Sequence, residues 1–344
     1  MRVIFTEPFS RRITVVYALL LTGNAAAWLW GIALFGSNPV LIGTAVLAYV
    51  LGLRHAVDAD HIAAIDNVTR KLMQQGQKPA TVGLWFSLGH STVVALACAA
   101  IAVTSVTLRA HFAALRDIGS LVGTGVSAGF LFIIAMANIV TLISIWRAFR
   151  RGRADRQADA GNDLPGGILM RILKPMMAVI ARPEQMYPLG FLFGLGFDTA
   201  SEVGLLGISA SQASHAVPLW TIMVFPALFT AGMSLIDTTD GLFMVGAYGW
   251  ALVKPMRKLI YNFTITLFSI LVALIIGALE ALNLIADRFA LNGAFWKWVA
   301  NLNDHFGALG CAVILTLLGC WALSATLSRT AANNADAANA RIIS

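Results

Sequence analysis

Eight stretches of this chain are long and apolar enough to cross a lipid bilayer as helices, and that pattern leaves few folds open. They run over about 13–35, 39–67, 80–106, 118–146, 187–211, 217–250, 260–285 and 305–327. A bilayer core takes roughly 20 helical residues. Hydrophobic residues make up 58% of the 344 and charged residues 12%, against about 25% charged in a soluble domain. An ordinary globular enzyme is excluded, as are disordered and collagen-like chains. The expected class is an all-α polytopic membrane protein with about eight transmembrane helices.

The net charge of +7 does not point to nucleic acid. On an alternating eight-span path, nineteen of the 24 Lys and Arg fall on one side and four on the other, with Arg54 inside a span. By the positive-inside rule both termini face the cytoplasm. Arg11 and Arg12 precede a first run too long for a cleaved signal, so that helix is retained. Cys98, Cys311 and Cys320 sit in apolar runs without metal or disulfide spacing. The expected organisation is an N-terminal half (1–146), a cytoplasmic linker loop (147–186), a C-terminal half (187–327) and a disordered cytoplasmic tail (328–344).

The two halves repeat. Leu51-Gly-Leu-Arg-His-Ala-Val-Asp58 aligns with Leu195-Gly-Phe-Asp-Thr-Ala-Ser-Glu202, and Phe86-Ser-Leu-Gly-His-Ser91 with Phe229-Thr-Ala-Gly-Met-Ser234, at offsets of 144 and 143. Spans 2–4 and 5–7 then form two three-helix units. Three is odd, so the second unit is inverted in the membrane, an arrangement typical of secondary transporters.

Acidic residues inside spans carry the chemistry. Each costs roughly 2.5–3.5 kcal/mol at the bilayer centre even on a lenient scale. Asp58, Asp60, Asp66, Asp198, Glu202, Asp237, Asp240 and Glu280 all fall there, with Arg54 the one basic residue. The negative excess calls for a cation from solution. In Arg54-His-Ala-Val-Asp-Ala-Asp-His61, a straight helix puts His55, Asp58 and Asp66 within about 80° on one face, with His61 beside them. Asp60 points away unless the helix breaks. Two imidazoles beside carboxylates favour a first-row transition metal over magnesium or calcium. The plain alternative is a structural network with Arg54 paired to Asp58. Asp198 with Glu202, and Asp237 with Asp240, each share a helix face. His90 joins them as ligand or support. Asn138 and Asn24 read as interhelical hydrogen bonds, and Glu280 as interfacial.

These residues carry a family resemblance. Arg54-His-Ala-Val-Asp-Ala-Asp-His-Ile62 resembles the signature of the nickel/cobalt transporter (NiCoT) family, whose core is His-x4-Asp-His, here His55, Asp60 and His61. Phe86-Ser-Leu-Gly-His-Ser-Thr-Val-Val94, Leu195-Gly-Phe-Asp-Thr-Ala-Ser-Glu202 and Gly232-Met-Ser-Leu-Ile-Asp-Thr-Thr-Asp240 resemble its other motifs. The resemblance implies a permease of the cytoplasmic (inner) membrane that takes up Ni2+ and, in some members, Co2+. It makes His55, Asp58, Asp60 and His61 the essential positions. His90, Asp198, Glu202, Asp237 and Asp240 follow as site or pathway residues. The metal is then cargo and no cofactor is expected.

No phosphate-binding loop exists, since no Lys precedes Ser or Thr, and no ATPase subunit is evident in the chain. The membrane potential can supply the drive, at about 2.3 kcal/mol per charge per 100 mV. A related exporter, an intramembrane metalloenzyme and a metal-sensing scaffold are the alternatives. The inside loops carry no His for an exporter to load from. The chain has six His in all and no HExxH, few for a metalloenzyme.

Overall fold

A computed structural model describes residues 7–103, 106–150, 180–196, 199–214, 218–251, 255–317 and 319. Every regular element among them is helical. In chain order these are α1 (Glu7–Phe35), α2 (Pro39–His55), α3 (Ala59–Gln74), α4 (Val82–Val103) and α5 (Val106–Arg150). A short 3-10 turn (Pro183–Gln185) leads into α6 (Met186–Gly194), α7 (Ala200–Ser214), a single turn α8 (Leu219–Ile222) and α9 (Val224–Ala251). Then come α10 (Pro255–Arg288), α11 (Ala294–Asp304) and α12 (Phe306–Leu317). The linker between 151 and 179 and the tail after 319 lie outside the described residues.

Five of these helical stretches are long and apolar enough to cross a membrane, Phe9–Phe35, Val82–Val103, Ile118–Ile143, Leu219–Ala247 and Thr266–Arg288; α2 and α3, bent by 51° at their junction, make a sixth if taken as one span. Leu19, Leu29, Ile32, Leu96, Leu271 and Ile275 are exposed on their outer faces, where a bilayer replaces water as solvent. The inner faces pack densely. Phe86, Leu131, Phe193 and Ile276 gather α4, α5, α6 and α10 around α3. Phe35, Ala48, Leu205, Phe225 and Phe229 gather α1, α2, α7 and α9 on the other side of α4.

Two helix crossings set the frame. A Cβ on Gly52 of α2 would strike the Phe229 carbonyl of α9, and one on Gly232 of α9 would press on Tyr49 and Leu53 of α2. Likewise a Cβ on Gly190 of α6 would strike the Phe86 carbonyl of α4, and one on Gly89 of α4 would strike Tyr187 and Phe191 of α6. Backbones approach this closely only through glycine, the device membrane helices use where no hydrophobic force draws them together. In both crossings the α2-like helix offers Tyr-x-Leu-Gly-(Leu/Phe), Tyr49–Leu53 and Tyr187–Phe191. Their offset is 138 residues (Tyr49 to Tyr187), not the 144 expected, so Leu195-Gly196 is not the counterpart of Leu51-Gly52.

The helix α9 runs unbroken through Gly241, which packs beside Ile65 and Gly83, and is set off from α8 by Met223. Two local readings change. Arg70, placed in a loop by the span limits, lies in α3 and is 3% exposed. Glu280 is not interfacial: it is buried, and Ser127 Oγ of α5 donates to its Oε1 at 2.9 Å.

Candidate metal site

Two interrupted helices meet α4 and α9 at the site. The first interruption lies between His55 and Ala59. Asp58 takes the N-cap position of α3 with extended backbone (φ −65°, ψ 144°), yet its side chain caps nothing. Such a cap ordinarily contributes about 1 kcal/mol. The carboxylate is turned to His55 instead, with Oδ2 2.9 Å from Nδ1. A carboxylate only accepts, so His55 donates through Nδ1 and keeps its Nε2 lone pair for the interior.

That Nε2 lies 2.9 Å from Nε2 of His90, on α4. His90 Nε2 is also 2.9 Å from Glu202 Oε1, on α7. With both rings neutral, one N–H of His90 is shared between the glutamate and the bare nitrogen of His55. Thr199, beside the second interruption, donates from Oγ1 to the other glutamate oxygen at 3.1 Å. Its hydroxyl is also 3.4 Å from His55 Nδ1.

His61, one turn into α3, closes the group. Its ring stands edge-on to Phe86, with centroids 4.8 Å apart, and 4.6 Å from the His55 ring. Among the described residues neither of its ring nitrogens has a hydrogen-bond partner, although Nδ1 sits 3.5 Å from Asp237 Oδ1 on α9. Both Asp237 oxygens likewise lack hydrogen bonds among them. His55, His61, His90, Glu202 and Asp237 are all at most 2% exposed. Buried polar atoms are nearly always bonded, so a group of imidazole and carboxylate atoms left open marks a place where another polar species belongs.

One ligand atom from each of His55, His61 and His90 can be chosen with all three within 4.8 Å of one another. Nitrogens bound at roughly 2.1 Å to one ion sit about 3.4 Å apart, so the outermost ring has to move in by on the order of 1 Å. Each imidazole has a carboxylate beside it: Asp58 for His55, Glu202 for His90, Asp237 for His61. That pairing orients metal-binding rings and raises their basicity.

The remaining candidates are more dispersed. The break turns Asp60 toward a small cavity of about 130 Å³ that it shares with Arg54, Asp58, Glu280 and Asp304. Arg54 Nη1 donates to Ser201 Oγ at 3.3 Å, so the Arg54–Asp58 pairing of the plain alternative is replaced by His55–Asp58. Asp240 is buried one turn along α9 from Asp237. Asp66 leaves the group, accepting from Ser269 at 3.0 Å. Asp198 lies outside the described residues. Sequence reasoning missed Thr199 and the rings of Phe86 and Phe229, the latter 5.6 Å from His55. Phe86 and Phe229 head the two repeated segments, a signal that was present. Asn138 and Asn24 do make interhelical hydrogen bonds, to Asn67 and to the Ala231 carbonyl.

The profile of a family described as High-affinity nickel-transport protein matches residues 41–327. A "High-affinity nickel transport protein" of Cupriavidus necator is 55% identical over 92% of this chain and 92% of its own length. A "Hydrogenase nickel incorporation protein HupN" of Bradyrhizobium diazoefficiens is 52% identical over 92% of this chain and 84% of its own. A "Cobalt transport protein NhlF" of Rhodococcus rhodochrous is 36% identical over 85% and 86%. No solved structure matches the chain.

Proposed function

The chain belongs to the family of high-affinity nickel-transport proteins, and on that premise we propose that it is a secondary permease importing Ni2+ across the cytoplasmic membrane, with Co2+ as a second cargo. The names of the Cupriavidus and Rhodococcus relatives support the two ions. The observation that carries the site assignment is the trio of buried imidazoles, each backed by its own carboxylate. In this reading His55, His61 and His90 hold the ion. Imidazole suits both nickel and cobalt. Asp58, Glu202 and Asp237 orient the rings and balance the charge. Asp60 and Asp240 line the path to and from them, and Asp198 is assigned to that path by its motif alone.

The chain crosses the membrane eight times in this reading, with both termini cytoplasmic. The spans are α1, α2/α3, α4, α5, α6/α7, α8/α9, α10 and the stretch containing α12. The units α2–α5 and α6–α10 form the inverted repeat. The matched glycine crossings support it, since α2 on α9 is the image of α6 on α4. The ion then lies between the units at both helix interruptions, and rocking of one unit against the other exposes it to either side. The membrane potential drives a divalent ion inward with about twice 2.3 kcal/mol per 100 mV.

Radioactive nickel accumulation at nanomolar metal, in bacteria expressing the protein, tests this. Accumulation should exceed the empty-vector level, fall with excess cold cobalt and vanish in His61→Ala. Accumulation below the empty-vector level would mean export. No change, with the protein in the membrane, would sink the nickel assignment.

A further inference from the structure

Away from the metal site, two cavities adjoin the first helix, and their lining changes character along its length. One, of about 850 Å³, lies beside the start of α1 and is lined by Arg11, Arg12 and Lys78, with Glu184 the one acid. The other, of about 610 Å³, lies beside the middle of α1, against α4 and α9, with almost wholly apolar walls. On α1 the linings form a single stripe. Arg12, Val16, Leu19, Gly23, Ala26 and Trp30 recur every three or four residues and share one face. Opposite it, Ala80 and Thr81, which lead into α4, line the first cavity, and Leu84 and Leu88 of α4 line the second. The two cavities are therefore stations of one slot between α1 and α4. It is cationic at one end and greasy for the rest. From Arg12 to Trp30 it runs about 27 Å at the helical rise, close to the thickness of a bilayer core.

A free anion would use the basic end and leave the apolar length idle. A second apolar helix would fill the groove and leave Arg11 and Arg12 unmatched. A phospholipid uses both. We propose that this slot is a binding site for an anionic phospholipid, its phosphate held by Arg11, Arg12 and Lys78 and an acyl chain laid along Leu19, Gly23 and Ala26. The side chains of Arg11 and Arg12 make no hydrogen bond or ion pair with another described residue. Lys78 is steered to the mouth by the ring of Phe9, 5.6 Å below its Nζ. Basic pockets at membrane-helix ends recognise anionic headgroups through this charge match. Gly23 has nothing within 4 Å of where a Cβ would stand, so the helix surface there is open to a chain. The slot also touches Ser234, on α9 one turn before Asp237. A bound lipid therefore rests on the helix that carries a site carboxylate. On the orientation proposed above, the headgroup lies in the cytoplasmic leaflet.

The test is native mass spectrometry of the full-length protein released from detergent, with phosphatidylglycerol or phosphatidylcholine added at matched concentrations. Wild type should retain one phosphatidylglycerol at least tenfold better than phosphatidylcholine. The triple variant Arg11→Gln/Arg12→Gln/Lys78→Gln should lose that preference. Gly23→Leu should cut retention of phosphatidylglycerol with the cations intact, because its side chain enters the groove. Gly125→Leu, an equally open position on α5, should change nothing. Should the triple variant elute aggregated, Gly23→Leu against Gly125→Leu decides alone. Equal retention of both lipids overturns the proposal, as does a Gly23→Leu protein that binds like wild type. Displacement of the lipid by millimolar glycerol phosphate would reduce the site to an anion pocket and overturn it as well.

Discussion

Along α3 two buried polar clusters lie barely a turn apart, and they are built on opposite principles. The second one joins Asp66, Asn67 and Arg70 to α5 and α10. Asn67 Oδ1 accepts from Asn138 at 2.7 Å and from Arg70 at 3.2 Å. Arg70 also donates to Thr266 at 3.0 Å, and Asp66 accepts from Ser269 at 3.0 Å. Among the fully buried polar atoms of these six side chains, only Nε of Arg70 lacks a hydrogen-bond partner within the described residues. The first cluster leaves both nitrogens of His61, Nδ1 of His90 and both oxygens of Asp237 open. Both clusters are equally hidden from solvent. What separates them is whether polar groups are spent on one another or kept for something else. Open polar atoms destabilise a fold, so a chain that retains five of them in one place uses them.

That contrast is broken or sharpened by mutation. The largest effect belongs to His61→Ala. Nickel uptake should fall by at least about 100-fold, more than removal of a supporting group costs. Thermal stability without metal should hold or rise, because no hydrogen bond is lost. Nickel should raise the melting temperature of wild type and leave this variant unmoved. A His61→Ala protein that melts far lower yet still transports would merge the two clusters into one structural network. Next come Glu202→Gln and Asp237→Asn, which keep shape and remove charge. Each should weaken nickel affinity about 10–100-fold, read from the KM for uptake. Affinities within twofold of wild type would show that the carboxylates do not steer the rings.

Asn138→Ala should do the reverse. It removes one donor to Asn67 and leaves the other partners in place. Stability should fall by about 1 kcal/mol, followed by unfolding in detergent, while the KM for nickel stays at the wild-type value. A raised KM without destabilisation would move the second cluster into the transport path.

Much of this contrast was legible in the chain. The apolar runs named the helices, and spacing alone put His55, Asp58 and His61 together. A straight-helix projection could not show that the helix stops at His55, which is why it sent Asp60 outward and Asp66 inward. The break reverses both: Asp60 faces a cavity with Asp58, and Asp66 belongs to the other cluster. The repeat was visible, but its register before the break was six residues off. Leu195-Gly196 imitates Leu51-Gly52 in letters, while contact with Phe86 belongs to Gly190. Thr199 and the pairing of each imidazole with one carboxylate arise from segments far apart in sequence, and no local pattern carries them.

The smallest effect concerns Asn24, the amide in the middle of α1. Its amide donates to the carbonyls of Leu20 and Ala231, at 2.9 and 3.2 Å, and its oxygen accepts from the Tyr49 hydroxyl at 2.9 Å. It thus ties α1 to α9 and α2, much as Asn138 ties α5 to α3. The setting differs, because Asn24 is only partly buried. Interhelical hydrogen bonds in membranes average about 0.6 kcal/mol, since polar groups find other partners when helices part. After Asn24→Ala the Ala231 carbonyl keeps its bond within α9, and only the Tyr49 hydroxyl loses its acceptor. The expected loss in stability is therefore on the order of 0.6 kcal/mol, with uptake unchanged. It is measured in the same detergent unfolding series as Asn138→Ala. A loss as large as that of Asn138→Ala would mean that partial burial spares a polar tie nothing, and that the two clusters of α3 differ by their partners alone.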